Sequence, residues 1–350
     1  MTPIALRWAV GLLVVLGAAL LPAAEAPHEP EATHEEEATR QPEATRPEAR
    51  HYRLGLAPAV PWSPAHVALA LGLWRDLGVT VTVTDHITAS EQRIAVTHQQ
   101  DDLTIDRVGG LIALQQSGVA MTLLGECGWA HDQERFAGRT TGGPARGAVI
   151  GVHADDPAVL GFLDLALRAR GLGLTDVTIN VLAPQDLAGD FIRRRLDWLV
   201  VEEPFAGDVL SRGAHRLATP ADLPGCMPLA FAGRTDVVAT IPPADLVLIF
   251  RGWIQATRWM ADPLNAKACR ALLVERTLID PRDGAAALAM ADAVRNHDPV
   301  ALAERNRPDG GLAGYLARCA ELLTATKRLS RPIDATAMID TAALHTALTR

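Results

Sequence analysis

The sequence predicts an α/β protein made of two lobes, each a mainly parallel sheet covered by helices. Three observations carry this. From residue 52 onward, short β-rich runs alternate with helical patterns, as parallel sheets with covering helices require. In the run Asp197–Phe205, four apolar residues (Trp198 to Val201) precede Glu202, Glu203 and Pro204. That pattern reads as a strand covered on both faces, with acids at its carboxyl end. Residues 128–147 (GWAHDQERFAGRTTGGPARG) then break the alternation with a Gly-rich polar stretch, which reads as a crossover into the second lobe.

The elements follow in order. Tyr52–Ala57 is the first strand, and the loop Pro58–Pro64 follows it. Ser63-Pro64 has the form of an N-cap with proline at the first helical position, opening a helix to about Leu77. Val79–Thr84 is β-rich, and Thr88-Ala-Ser-Glu91 is a capping box for the next helix. Leu103–Ile105 is a strand, Val108–Ser117 a helix and Val119–Gly125 a strand. After the crossover, Gly147–Val152, Val177–Leu182 and Trp198–Val201 read as strands. Helices fall at Pro157–Arg170 and near Leu187–Arg195, and Pro204 can open another. Met227–Ala239 returns to the first lobe. Helical patterns then cover Asp245–Met260, Ala266–Glu275, Ala285–Arg295 and Gly311–Arg328, with a closing tail at Asp334–Arg350.

The chain has 350 residues, 49% of them hydrophobic, enough for two lobes with a sizeable core. A net charge of -8 argues against a nucleic-acid partner held through phosphates. Basic charge is nearly all arginine, with lysine only at Lys267 and Lys327, which reflects base composition and not function. Arg7, the apolar run Trp8–Leu21 and Ala24-Glu25-Ala26 form a secretory-signal pattern over residues 1–26. Pro27 is a poor neighbour for cleavage, so an uncleaved anchor is the second reading. Residues 27–50 repeat Glu-Ala-Thr from Glu31, Glu37 and Glu43 and hold no large apolar side chain. They read as a disordered acidic tether. Export permits disulfides. Cys269 and Cys319 both fall in helical patterns, so a bridge and free buried thiols are both open for Cys127, Cys226, Cys269 and Cys319.

Several segments taken together carry a family resemblance. Asp197–Phe205 resembles the "D-A-x-x-x-W-E-P" segment of the periplasmic solute-binding proteins of the nitrate/sulfonate/taurine and thiamine-pyrimidine-precursor type. Tyr52-Arg-Leu-Gly-Leu resembles the opening strand "L-R-I-G-Y", and Ala68–Trp74 resembles "A-x-x-x-G-L-F". Leu77–Val83 resembles "G-L-D-V-E-L-V", and Leu329–Asp334 the late "K-P-P-D-L" turn. Asp102–Asp106 and Ala221–Gly225 match a cleft-lining strand end and the loop before the return strand. The resemblance implies a type II periplasmic binding protein with two hinge crossings. Lobe 1 would take residues 51–135 and 233–350, and lobe 2 residues 136–232. It also implies a monomer outside the cytoplasm, with a small-molecule ligand and the permease and ATPase subunits of an ABC importer as partners. A membrane-tethered sensing module with the same fold is the alternative.

Strand ends and motif positions nominate the ligand contacts. They are Trp62, Ser63, Asp106, Glu126 and Trp129 in the first lobe, and Asp155, Gln185, Glu202 and Glu203 in the second. Trp62 and Trp129 offer flat faces to a ring or a cation. Relatives often carry Ser/Thr-rich segments for an anionic head group where this chain has Asp155-Asp156-Pro157. One aspartate reads as the helix cap, and carboxylates there repel anions. An acidic, aromatic-lined cleft favours a cationic or amino-heterocyclic ligand, unless arginines fold into it. His66, His131 and His153 lack helical metal-ligand spacing, so no metal and no cofactor is expected. No G-x-S-x-G, G-x-G-x-x-G or P-loop motif occurs, and the cysteine-rich run of the pyrimidine-making branch is missing. The expectation is a binding protein and not an enzyme.

Overall fold

In the computed structural model the described residues are 50–56, 64–131, 134–154, 156–202, 205–276 and 294–349. Eleven strands lie among them. They are β1 His51–Leu56, β2 Thr80–Asp85, β3 Leu103–Arg107, β4 Met121–Ala130, β5 Glu134–Gly138, β6 Val149–Val152, β7 Thr178–Val181, β8 Trp198–Glu202, β9 His215–Ala218, β10 Pro228–Arg234 and β11 Val294–Asn296. They form two sheets, β11-β4-β10-β3-β1-β2 and β7-β6-β8-β5-β9. Each sheet with its helices is one lobe.

Strand direction follows from how the chain crosses. β1, β2 and β3 are mutually parallel, as are β6, β7 and β8. Their carboxyl ends face the junction of the lobes. A strand that has just crossed starts at that junction and must run the other way. Accordingly β5 is antiparallel to β8 and β9, and β10 is antiparallel to β3 and β4. Pro228, which has no N–H to give a ladder, opens β10, where that loss costs least.

Local signals account for the helices beside the junction. Thr88 caps Ala89–Thr97 by accepting from the Glu91 amide at 3.1 Å, and Glu91 accepts in turn from the Ile87 amide at 3.0 Å. Asp156 caps Pro157–Arg168, taking the Ala158 and Val159 amides at 3.0 Å each. The predicted helix to Leu77 breaks at Gly72, whose φ of 69° is the left-handed conformation that glycine adopts without penalty. The core of the first lobe holds an aromatic group in which Phe231 meets Phe250 and Trp253 edge-on at 5.0 and 4.9 Å.

Three expectations are corrected. Residues 128–147 are not one loop: β4 runs on to Ala130 and β5 begins at Glu134. Phe136 and Ala137 are fully buried, and the polar residues around them hid that short strand. The crossings therefore fall after Ala130 and between Ala218 and Pro228. Glu134 and Arg135 stand in the second sheet, and Pro228–Ala232 in the first. Third, Arg295 lies in β11, not in a helix. The rest of the helix expected at 285–295 is almost wholly outside the described residues, as are the signal and the tether.

Candidate functional site

Where the two sheets meet, charged side chains from both lobes are buried together. Arg107 ends β3 and is only 7% exposed at its side chain. Its Nη1 donates to Glu134 of β5, and its Nη2 stands 3.9 Å from Glu202 at the end of β8. His153 follows β6, with Nε2 4.0 Å from Glu134 and Nδ1 3.9 Å from Glu202. Arg93 donates from Nε to Asp106 at 3.0 Å and lies 3.4 Å from Asp156. Arg93 and Arg107 thus both span the lobes. Two glycines permit it: a Cβ on Gly109 would sit 2.1 Å from the Ala158 nitrogen, and one on Gly110 would sit 1.9 Å from Arg93 Nη2.

The electrostatics are strained by burial. Asp106, Glu134, Asp156 and Glu202 face Arg93 and Arg107, so four carboxylates meet two guanidinium groups. The cluster therefore holds two more carboxylates than guanidinium groups among the described residues. Burial pushes Glu134 above the usual carboxylate range, although Arg107 and then His153 pull it back. Burial would also raise Asp156, but Arg107 and Arg93 outweigh it and hold that carboxyl below its usual range. Glu134 Oε2, His153 Nε2 and Arg107 Nε have no hydrogen-bond partner among the described residues. Orphaned polar atoms this deep cost about 1–3 kcal/mol each, so three at one place single out the junction as the candidate site.

A second group lies two strands from Asp106 in the first sheet, where Asp106 of β3 and Glu126 of β4 both pair with Ala230 of β10. The fully buried Glu126 accepts from Trp129 Nε1 at 2.7 Å, His297 Nε2 at 2.9 Å, and Arg305 Nε and Nη2 at 2.8 and 2.9 Å. Asn306 exchanges hydrogen bonds with the Glu126 backbone at 2.6 and 2.8 Å. The Arg305 guanidinium lies 5.4 Å from the Trp129 ring centroid. Burial would raise the Glu126 carboxyl, but the hydrogen bonds from His297 and Arg305 outweigh it and hold it low. This carboxylate is saturated by the protein itself.

The nominated residues therefore separate into groups. Asp106 and Glu202 join the junction cluster. Glu126 and Trp129 form the saturated group instead. Gln185 is exposed on the helix Pro184–Ile192 and has no recorded bond to the cluster among the described residues. Trp62, Ser63, Asp155 and Glu203 lie outside the described residues. Arg93, Arg107, Glu134 and His153 were not nominated. His153 has no helical ligand spacing in the sequence because its partners come from other strands. His66 is buried with Nε2 3.1 Å from Asp85, so it belongs elsewhere. All four cysteines are free. A cavity of about 380 Å³ lies between the helices Pro157–Arg168 and Gly311–Ala325 and shares no residue with the cluster.

Comparison with known proteins places this geometry in context. Residues 45–274 match the model of the NMT1-like family. No curated protein matches the chain in sequence. Among solved structures, the periplasmic aliphatic sulphonate-binding protein SsuA of Escherichia coli superposes with a TM-score of 0.64 at 14% identity, covering 83% of this chain and 97% of that one. The periplasmic nitrate-binding protein NrtA of Synechocystis gives 0.56 at 13% identity, covering 86% and 89%. The desulfurization enzyme DSZB gives 0.54 at 15% identity, covering 85% and 99%. The fold is shared by binding proteins and an enzyme alike.

Proposed function

The chain belongs to the NMT1-like family, and from that premise we propose that it is an extracytoplasmic solute-binding protein serving an ABC importer. The observation that carries this reading is the buried cluster at the junction of the lobes. Both lobes supply it, it sits at the carboxyl ends of β3 and β8, and it keeps three polar atoms without partners. Ligands of open α/β sheets bind at such ends. A solute touching both lobes stabilises the closed form, and closure is a rotation at the two crossings. The closed face then docks on the permease. Sulphonate and nitrate binding by SsuA and NrtA support transport of a small polar solute.

The class of solute in this reading differs from theirs. The helix start that suits an anion is occupied here by the Asp156 carboxylate. Arginines do fold into the cleft, yet the carboxylates still outnumber them. Positive or amino-bearing solutes are therefore favoured over sulfonates and nitrate. No catalytic step is assigned. All four cysteines are buried, and burial pushes Cys226 and Cys319 up to about 12, far from a reactive thiolate.

Thermal unfolding of the full chain with amines, aminopyrimidines, sulfonates, nitrate and bicarbonate tests the reading. A solute bound only by the folded state raises the melting temperature by mass action. Amines or aminopyrimidines are expected to do so. A shift with sulfonates or nitrate alone overturns the charge argument. Undiminished uptake of the bound solute by cells lacking the protein overturns the transport role.

A further inference from the structure

We propose that Glu134, His153 and Glu202 form a divalent transition-metal site of the zinc type in the cleft. The proposal rests on the cleft being the binding site, and deepens that reading by placing an ion beside the solute there. Each of the three residues offers one donor atom, and these atoms lie within 4.8 Å of one another. All three come from the second lobe, at the start of β5, after β6 and at the end of β8. A fixed strand framework therefore sets their spacing.

The donor set suits a metal ion. His153 is 4% exposed at its side chain and Glu134 is fully buried, yet His153 Nε2 and Glu134 Oε2 have no partner among the described residues. His153 Nε2 lies 4.0 Å from Glu134 Oε1 and its Nδ1 3.9 Å from Glu202 Oε2, both beyond hydrogen-bond reach. A zinc-type ion uses all three, at roughly 2.0–2.2 Å from each donor. That needs the donor atoms to close to roughly 3.3 Å apart, a shift that side-chain rotation can supply. The excess of carboxylates over guanidinium groups in the cluster favours a cation. Nitrogen with carboxylate oxygen suits zinc better than calcium or magnesium.

Access and vacancy follow from the same geometry. Glu202 is 35% exposed at its side chain, which gives the ion a way in. Arg107 belongs to the other lobe and binds Glu134 through Oε1, leaving Oε2 open. Its charge opposes the metal, so the ion binds best when the cleft opens and Arg107 withdraws. Three protein donors leave a fourth position for water or a donor atom of the solute.

Co²⁺ titration of the metal-stripped full chain, read by visible absorption and by competition with a chromogenic chelator for Zn²⁺, tests the site. The acidic segment with His28 and His34 can bind metal weakly, so the wild type is compared with His153→Ala and Glu202→Gln chains that keep it. The expected result is one equivalent with the intense absorption of a four- or five-coordinate ion. It weakens at least tenfold in each variant and tightens in Arg107→Met. Equal binding by the wild type and His153→Ala overturns the site. So does an absent Co²⁺ spectrum, while the solute screen above, run without metal, still decides the solute-binding reading separately. The variants' circular dichroism and melting temperature show whether any loss comes from unfolding.

Discussion

Arg93 Nη2 stands 3.4 Å from Asp156 Oδ2, an ion pair whose two residues belong to different lobes. The same guanidinium holds Asp106 at 3.0 Å, so one side chain ties the end of β3 to the first turn of the helix Pro157–Arg168. Removing a partner from a buried pair leaves a charge without compensation, which costs more than the pair contributes. Replacing Arg93 with glutamine therefore lowers folding stability by about 3–5 kcal/mol. Urea unfolding with unchanged slope is the measurement. A loss below about 1 kcal/mol would mean that Arg107 alone satisfies both aspartates.

Gly109 provides a steric test of lobe closure. Its missing side chain lets the helix Val108–Ser117 lie against the Ala158 backbone, 2.1 Å from where a Cβ would be. Backbone cannot move aside as a flexible side chain can. Gly109→Val wedges the lobes apart, giving a larger radius of gyration by small-angle scattering and weaker solute binding. Gly161→Ala on the facing helix is the control, since nothing lies within 4 Å of its Cβ position. That change raises stability by up to about 1 kcal/mol through helix propensity.

Glu126 makes stability depend on acid. Its carboxyl is held below the usual range by His297 and Arg305 in spite of burial. A carboxylate with a lowered folded pKa contributes stability that is complete above the unfolded value, about 4.3. That contribution is lost as pH falls from there through the folded value. The urea midpoint should fall steeply below about pH 4 in the wild type and less steeply in Glu126→Gln. Because the carboxylate is saturated by protein donors, Glu126→Gln should leave solute affinity unchanged once the protein is folded. Affinity lost at full folding would make Glu126 a ligand contact after all.

The two-sheet architecture was legible because its signals are local. The apolar run at Trp198–Val201 and the Asp156-Pro157 cap each lie within a few residues. β5 was hidden because Glu134 and Arg135 look like loop residues until their pairing with β8 is known. The site was legible only by half for the same reason. Asp106 and Glu202 stand at strand ends that the pattern reveals. Arg93 sits in mid-helix, and only the crossing of the chain brings Asp156 to it. Trp129 and Glu126 looked free for a ligand because the residues that engage them, His297 and Arg305, lie about 170 positions away in sequence.

The cysteines give the last prediction. All four are free and buried. Burial pushes Cys226 and Cys319 up to about 12, and raises Cys127 and Cys269 as well. Thiolate is the reacting form, so both accessibility and charge oppose modification. Cys226 and Cys319 nevertheless line one cavity, between a helix of the second lobe and a helix of the first. A thiol-disulfide exchange reagent should find no fast-reacting thiol in the native chain at mildly alkaline pH, and four in urea. If the lobes separate in solution, the cavity opens, and Cys226 and Cys319 react while the buried Cys127, in β4 beside β10, stays silent. Mass spectrometry of the labelled protein distinguishes these cases. A saturating solute that slows labelling at Cys226 and Cys319 would tie their exposure to opening of the cleft. Early labelling of Cys127 would instead mean unfolding of the first sheet, since its thiol donates to the Leu229 carbonyl at 3.5 Å.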